Sequence, residues 1–169
     1  MDKKLPSRKH TRLKNYDYST TGAYFVTICT QDRKCFLSHI VGRGFTPAEI
    51  GEIKYTKYGE IAKEQLLLLE KRYSCLRIDQ YVIMPNHIHI LFLLDKETAG
   101  ASPCPTIMDI VCAYKSLTTR KCKKAGFTDK LFQNSFYEHI IRNTNDYEEI
   151  CKYISDNPSS WVFDELYTE

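Results

Sequence analysis

The chain has 169 residues, 43% of them apolar, with 24 Lys and Arg against 21 Asp and Glu for a net charge of +3. That is enough for one soluble domain with its own core; no run nears the roughly 18 unbroken apolar residues of a membrane span, and MDKKLPSRKHTRLKN has no signal-like apolar stretch, so a cytoplasmic protein without membrane contact is expected. Seven scattered cysteines without a C-x-x-C pair argue against a disulfide framework or zinc ribbon and are expected to be reduced and mostly buried.

Residues 1 to about 20 read as a mobile basic arm, in which Lys3, Lys4, Arg8, Lys9, Arg12 and Lys14 face only Asp2; residues 21–169 then form one domain. Tyr24 to Gln31 (YFVTICTQ) is rich in aromatic and β-branched residues and predicts a strand. From Asp32 to Tyr55 the pattern is irregular, and Gly42, Gly44, Pro47 and Gly51 punctuate a hairpin or long loop. Tyr58 to Leu69 carries Tyr58, Ile61, Ala62, Leu66 and Leu69 at helical spacing, with Gln65 as the polar interruption. Leu76 to Met84 and His87 to Leu94 predict two strands joined by a turn at Pro85 and Asn86.

Ala99 to Pro105 is a small-residue loop, and Thr106 to Lys124 predicts a second amphipathic helix. Its end is basic: Lys115, Arg120, Lys121, Lys123 and Lys124 have no acidic residue between them. These residues, with Lys9, Arg12 and Lys14 of the arm, would neutralise phosphates if both clusters border one cleft. Phe136 to Arg142 suits a short strand. A third helix is marked by Asn145 and Glu148 as a capping pair, by the stripe Tyr147, Ile150, Cys151 and Ile154, and by Pro158 as its stop. A hairpin between alternating strands and helices predicts an α+β sandwich with helices on an antiparallel sheet, ferredoxin-like in arrangement.

Strand period two sends His87 and His89 to one face, where both imidazoles can share a metal ion, while Ile88, Ile90 and Phe92 take the other face and pack. Two histidines are an incomplete site, because divalent ions take further oxygen ligands. Tyr153 and Asn157, four apart, share one flank of the third helix, and an Asn carbonyl oxygen suits Mg²⁺ or Mn²⁺. A phenol, with a pKa of about 10, is a weak nucleophile that needs such help to attack a phosphodiester. His139 reads as a structural histidine; Tyr147 belongs to the apolar stripe, and Tyr137 has no metal-binding partner four residues away.

YVIMPNHIHILF (Tyr81 to Phe92) followed by FYEHIIRNTNDYEEICKYISDNPSSW (Phe136 to Trp161) resembles the REP-associated tyrosine transposases and the related insertion-sequence single-strand transposases. His87, Ile88 and His89 match the histidine, hydrophobic, histidine (HUH) signature, and YISDNP matches Tyr-Ile-x-x-Asn-Pro. The resemblance spans about Tyr24 to Trp161. It implies Tyr153 as nucleophile, His87, His89 and Asn157 as ligands of one divalent ion, and single-stranded DNA with imperfect hairpins as substrate, cut to leave a 5′-phosphotyrosine and a free 3′-hydroxyl. Many insertion-sequence relatives carry Gln where Asn157 stands; those commonly exchange the tyrosine helix in dimers, whereas REP-associated forms can act as monomers, so both states stay open. Tyr16 and Tyr18 are candidates to stack on unpaired bases, though plain surface tyrosines are the simpler reading. A domesticated hairpin-binding protein is the main rival; a ferredoxin-like RNA-binding module is disfavoured because YFVTICTQ lacks the basic-aromatic RNA signature.

Overall fold

A computed structural model describes residues 17–41, 52–99 and 104–168, which leaves Lys9, Arg12, Lys14 and Tyr16 outside the described residues. Among the described residues six strands and three α-helices follow one another: β1 (Gly22–Cys29), β2 (Ser38–Val41), β3 (Glu52–Tyr55), α1 (Lys57–Arg72), β4 (Leu76–Ile83), β5 (His87–Leu94), α2 (Ile107–Lys124), β6 (Tyr137–Ile141) and α3 (Thr144–Asp156). The main sheet is antiparallel with the order β4-β5-β1-β6, and β2 pairs with β3 in a separate hairpin within the segment of irregular pattern. Helices follow the first and third strands of this sheet, which gives the βαββαβ plan of a ferredoxin-like sandwich.

Register assigns each side chain to a face. Tyr24, Val26 and Ile28 pair with Phe92, Ile90 and Ile88, and all six are fully buried with α1 and α2 residues such as Leu66, Leu69, Ile110 and Tyr114. The alternate residues Phe25, Thr27 and Cys29 pair with Leu91, His89 and His87 on the other face. α3 covers that face through Ile150, Cys151 and Ile154, together with Val82, Met84 and Trp161.

A β-bulge between Ile78 and Gln80 shifts the register of β4, so that Leu76 and Ile78 before it share a face with Tyr81 and Ile83 after it. Asp79 sits at the bulge, and its carboxylate accepts a hydrogen bond from the Tyr147 hydroxyl at 2.5 Å, tying α3 to the sheet. Tyr147 is therefore a half-buried, polar anchor as well as a member of the apolar stripe.

Helix starts follow capping chemistry. Thr56 caps α1, Thr106 and Asp109 form a reciprocal capping box on α2, and Asn143 caps α3 by accepting from the Asp146 N–H at 2.9 Å. The expected Asn145–Glu148 pair is thus corrected: the cap lies two residues earlier, because Asn143 is the last extended residue and its oxygen reaches the third N–H of the helix. Gly59 is required in the first turn of α1, since a Cβ there would lie 1.9 Å from the Leu37 carbonyl oxygen. Leu37 in turn donates its N–H to the Pro85 carbonyl in the turn before His87.

Two further expectations change. Cys75 and Cys104 form a disulfide across 29 residues, because the start of β4 and the entry to α2 meet at one end of the sheet; the other five cysteines are free thiols. Tyr18 is buried under the sheet edge and donates to Glu138 at 3.1 Å, so it cannot stack on a base.

Candidate metal centre

His87 and His89 lie side by side on β5 with ring centroids 4.4 Å apart, both buried on the face that α3 covers. The Nδ1 of His87 bonds the Asn86 side-chain oxygen at 2.8 Å. That oxygen can only accept, so Nδ1 carries the proton and Nε2 presents its lone pair. The Nδ1 of His89 bonds the Thr27 hydroxyl at 2.8 Å, which holds that ring with Nε2 directed at the α3 side. Phe25 stacks on His89 at 5.2 Å and Trp161 flanks His87 at 5.8 Å. Burial pushes both imidazoles toward the neutral form, His87 to about 4 and His89 well below its ordinary value, and neutral imidazole is the form that binds metals.

α3 brings its last turn to the same place. The Tyr153 hydroxyl lies 3.3 Å from His89 Nε2, and its side chain remains 43% exposed. Burial, and then the Asp164 carboxylate, push the phenol up to about 12. Asn157 is buried and donates its Nδ2 to Asp164 at 2.6 Å, while its Oδ1 has no partner among the described residues. His87 Nε2 is likewise buried without a partner among them. Two orphaned lone pairs inside a protein carry a desolvation penalty unless something electropositive sits beside them, so the donor set fits a cation.

Asp164 was not singled out by the sequence. It follows the 3-10 turn Trp161–Phe163 and accepts from Asn157 and, at 3.3 Å, from the Tyr153 hydroxyl. One ligand atom from each of His87, His89 and Asp164 lies within 4.8 Å of the others, a group able to hold a metal ion. Asp164 lies beyond the end of α3 and across that turn, so no helical or strand period marks it. Thr27 and Asn86 were missed for a similar reason: each reaches a histidine only through strand pairing or a turn.

The other site expectations divide. Tyr137 is 57% exposed on β6, and His139 pairs with the Asp146 carboxylate at 2.9 Å. The α2 cluster lies on the opposite face of the sheet from His87 and His89. Within it, Lys115 donates to the carbonyls of Gln133, Asn134 and Ser135 at 2.7, 3.1 and 3.1 Å, and Lys121 pairs with Glu64 at 3.1 Å. Arg120, Lys123 and Lys124 are exposed, and a surface groove of about 480 Å³ runs between Arg120, Lys123, Lys130 and Asn134. No described helix is long and apolar enough to cross a membrane.

No family model matches the sequence. An uncharacterized Haemophilus influenzae protein is 30% identical over 177 residues, covering 96% of this chain and 94% of that one. The solved structure of a REP-associated tyrosine transposase bound to a REP hairpin superposes with a TM-score of 0.62 at 20% identity, over 91% of this chain and 77% of that one. A candidate transposase of Deinococcus radiodurans matches at a TM-score of 0.46 and 18% identity over 86% of this chain and 95% of that one, too loosely to carry an argument. The chain belongs to the family of the Haemophilus influenzae protein, and its fold is that of the REP-associated tyrosine transposases whose two motifs its own sequence resembles.

Proposed function

We propose that this protein is a single-tyrosine HUH transposase that cuts and rejoins single-stranded, hairpin-bearing DNA through a covalent 5′-phosphotyrosine. The observation that carries the reading is the meeting of Tyr153, His87, His89 and Asn157 from two separate elements, with the phenol 3.3 Å from His89 Nε2. His87, His89 and Asn157 would hold one Mg²⁺ or Mn²⁺ ion. When bound, a dication there polarises the scissile phosphate and lowers the cost of charge developing in the transition state.

The residues do the rest. Phe25, Thr27 and Asn86 fix both imidazoles, and the Asp79–Tyr147 contact fixes α3, so the phenol is held rather than searching for its target. The Tyr153 oxygen attacks phosphorus and gives up its proton; the bond from phosphorus to the 3′-oxygen breaks, and that oxygen takes up a proton to leave a free 3′-hydroxyl. The phosphotyrosine conserves the bond, so a 3′-hydroxyl can attack it in reverse and rejoin the strand.

DNA contact is assigned by chemistry. Arg120, Lys123 and Lys124, with Lys9, Arg12 and Lys14 of the arm, meet phosphates without reading sequence; Lys115 and Lys121, which already have protein partners, contribute less. Phe163 is 87% exposed beside Tyr153 and lines the same cavity of about 390 Å³, so it offers the stacking face for an unpaired base that Tyr18 does not. The hairpin carried by the related solved structure is the probe of choice.

The test is covalent trapping. Single-stranded hairpin DNA with flanks, incubated with Mg²⁺ or Mn²⁺, gives a denaturant-resistant adduct on Tyr153; Tyr153→Phe folds and binds the hairpin but gives none. Tyr137→Phe keeps the adduct. A hairpin-binding protein without strand transfer would bind and never form an adduct, and an adduct mapped to another tyrosine would overturn the mechanism.

A further inference from the structure

One charged group at this centre has no role in that scheme. The Asp164 carboxylate is held from three sides: Oδ1 accepts the Leu166 N–H at 2.6 Å, and Oδ2 accepts from Asn157 Nδ2 at 2.6 Å and from the Tyr153 hydroxyl at 3.3 Å. The turn that carries it is anchored by Trp161, buried between His87 and Tyr167 with ring centroids at 5.8 and 5.1 Å. Asn86 completes the fixing: its Oδ1 meets His87 Nδ1, and its Nδ2 donates to the Leu166 carbonyl at 2.7 Å and the Thr168 hydroxyl at 3.0 Å. One side chain therefore aims a histidine and holds the C-terminal segment against it.

We propose that Asp164 is a direct ligand of the divalent ion, so that the 3-10 turn Trp161–Phe163 supplies through its C-cap the anionic member of a set comprising His87 Nε2, His89 Nε2, Asn157 Oδ1 and an Asp164 carboxylate oxygen. The proposal rests on the metal reading above. Two neutral imidazoles and an amide bring no charge, so a dication held by them alone keeps its full charge in a largely buried place; a carboxylate halves it. The geometry agrees, since the nearest ligand atoms of His87, His89 and Asp164 lie within 4.8 Å of one another. Asn157 then has two tasks, presenting Oδ1 to the ion while its Nδ2 orients the carboxylate, as outer hydrogen bonds orient metal ligands elsewhere.

The experiment is titration calorimetry of the chelator-stripped full chain with MnCl₂ alone, on the unaltered protein and on Asp164→Asn, Asp164→Ala and His87→Ala. Asp164→Asn removes the charge and keeps one acceptor oxygen, for the Leu166 N–H, but sets an amide NH₂ against Asn157 Nδ2, so Asp164→Ala is read beside it; circular dichroism and Tm without metal verify the fold. Mn²⁺ affinity is expected to fall about 10-fold or more in both Asp164 variants, with the rise of Tm on adding Mn²⁺ reduced in step. Affinity within about two-fold of the unaltered protein in both Asp164 variants, with His87→Ala lost, would overturn the Asp164 assignment and leave the metal centre standing. No Mn²⁺ binding by the unaltered chain would overturn both. Tighter Mn²⁺ binding or more covalent adduct in Asp164→Ala would also overturn it, since the carboxylate would then be an obstruction.

Discussion

The two faces of the main sheet are made from alternate residues of the same strands, yet they are different materials. Toward α1 and α2 the sheet presents Tyr24, Val26, Ile28, Ile88, Ile90 and Phe92, all fully buried. Toward α3 it presents Thr27, His87 and His89, buried polar groups interleaved with Phe25, Leu91 and Val82. The first face adds close apolar packing to the backbone ladders that hold the strands in register. The second can then carry orphaned lone pairs, because the backbone beneath them is already fixed from behind.

The largest contrast is expected from the histidines. His87→Ala or His89→Ala should lower metal-dependent cleavage by at least about 100-fold, beyond what losing an outer-shell partner costs, while gel shifts with hairpin DNA change little because phosphate contacts supply most affinity. Equal loss of binding would break the division between a chemical face and a binding surface.

Stability should show the reverse order. Phe92→Ala, on the packed face, is expected to cost about 3–5 kcal/mol in urea unfolding. Phe25→Ala, half-buried against His89, should cost about half as much or less on the same scale. Similar losses at both positions would erase the distinction between the faces.

A smaller effect is expected where α3 is pinned. Tyr147→Phe removes the hydroxyl that donates to Asp79 and should cost about 1 kcal/mol, less than a buried bond to a charged group because the pair is partly solvated. The Asp79 contact is the main cause that raises the Tyr147 phenol from 10.0 to about 12. A phenol raised on folding stabilises the protein fully below its unfolded pKa, and that advantage is lost as pH rises through the folded value. The gap between the two proteins should therefore narrow between about pH 10 and 12, measured by denaturant unfolding. A constant gap would mean that the ring, not the hydroxyl, is the anchor.

The smallest and most graded effect concerns the far surface. Neutralising Arg120, Lys123 and Lys124 together should reduce the log-log salt slope of single-stranded DNA binding by about 0.7 for each phosphate that is no longer paired with a cation. An unchanged slope would show that α2, which lies behind the sheet from the histidines, faces away from DNA.

Much of this was legible in the sequence. Period two in His87 to Leu94 and period 3.6 in Tyr147 to Ile154 are local consequences of backbone geometry, so they identify which side chains share a face without knowing the fold. The same rule brought Tyr153 and Asn157 together and, through the hairpin at Pro85 and Asn86, made the antiparallel sheet predictable. The bulge at Asp79 was not predictable, because LRIDQYVI reads as one unbroken strand until Phe92 and Leu91 reveal which residues they oppose. The Cys75–Cys104 bridge, the carbonyl partners of Lys115 and the separation of the basic helix from the histidine face are of the same kind. So is Asp164, which reaches the centre through a 3-10 turn anchored by Trp161 and held down by Asn86. Periodicity acts over a few residues and fixes direction along one element, whereas these contacts join positions far apart in the chain or leave a turn with no period, and only the packing of one element on another decides where they meet.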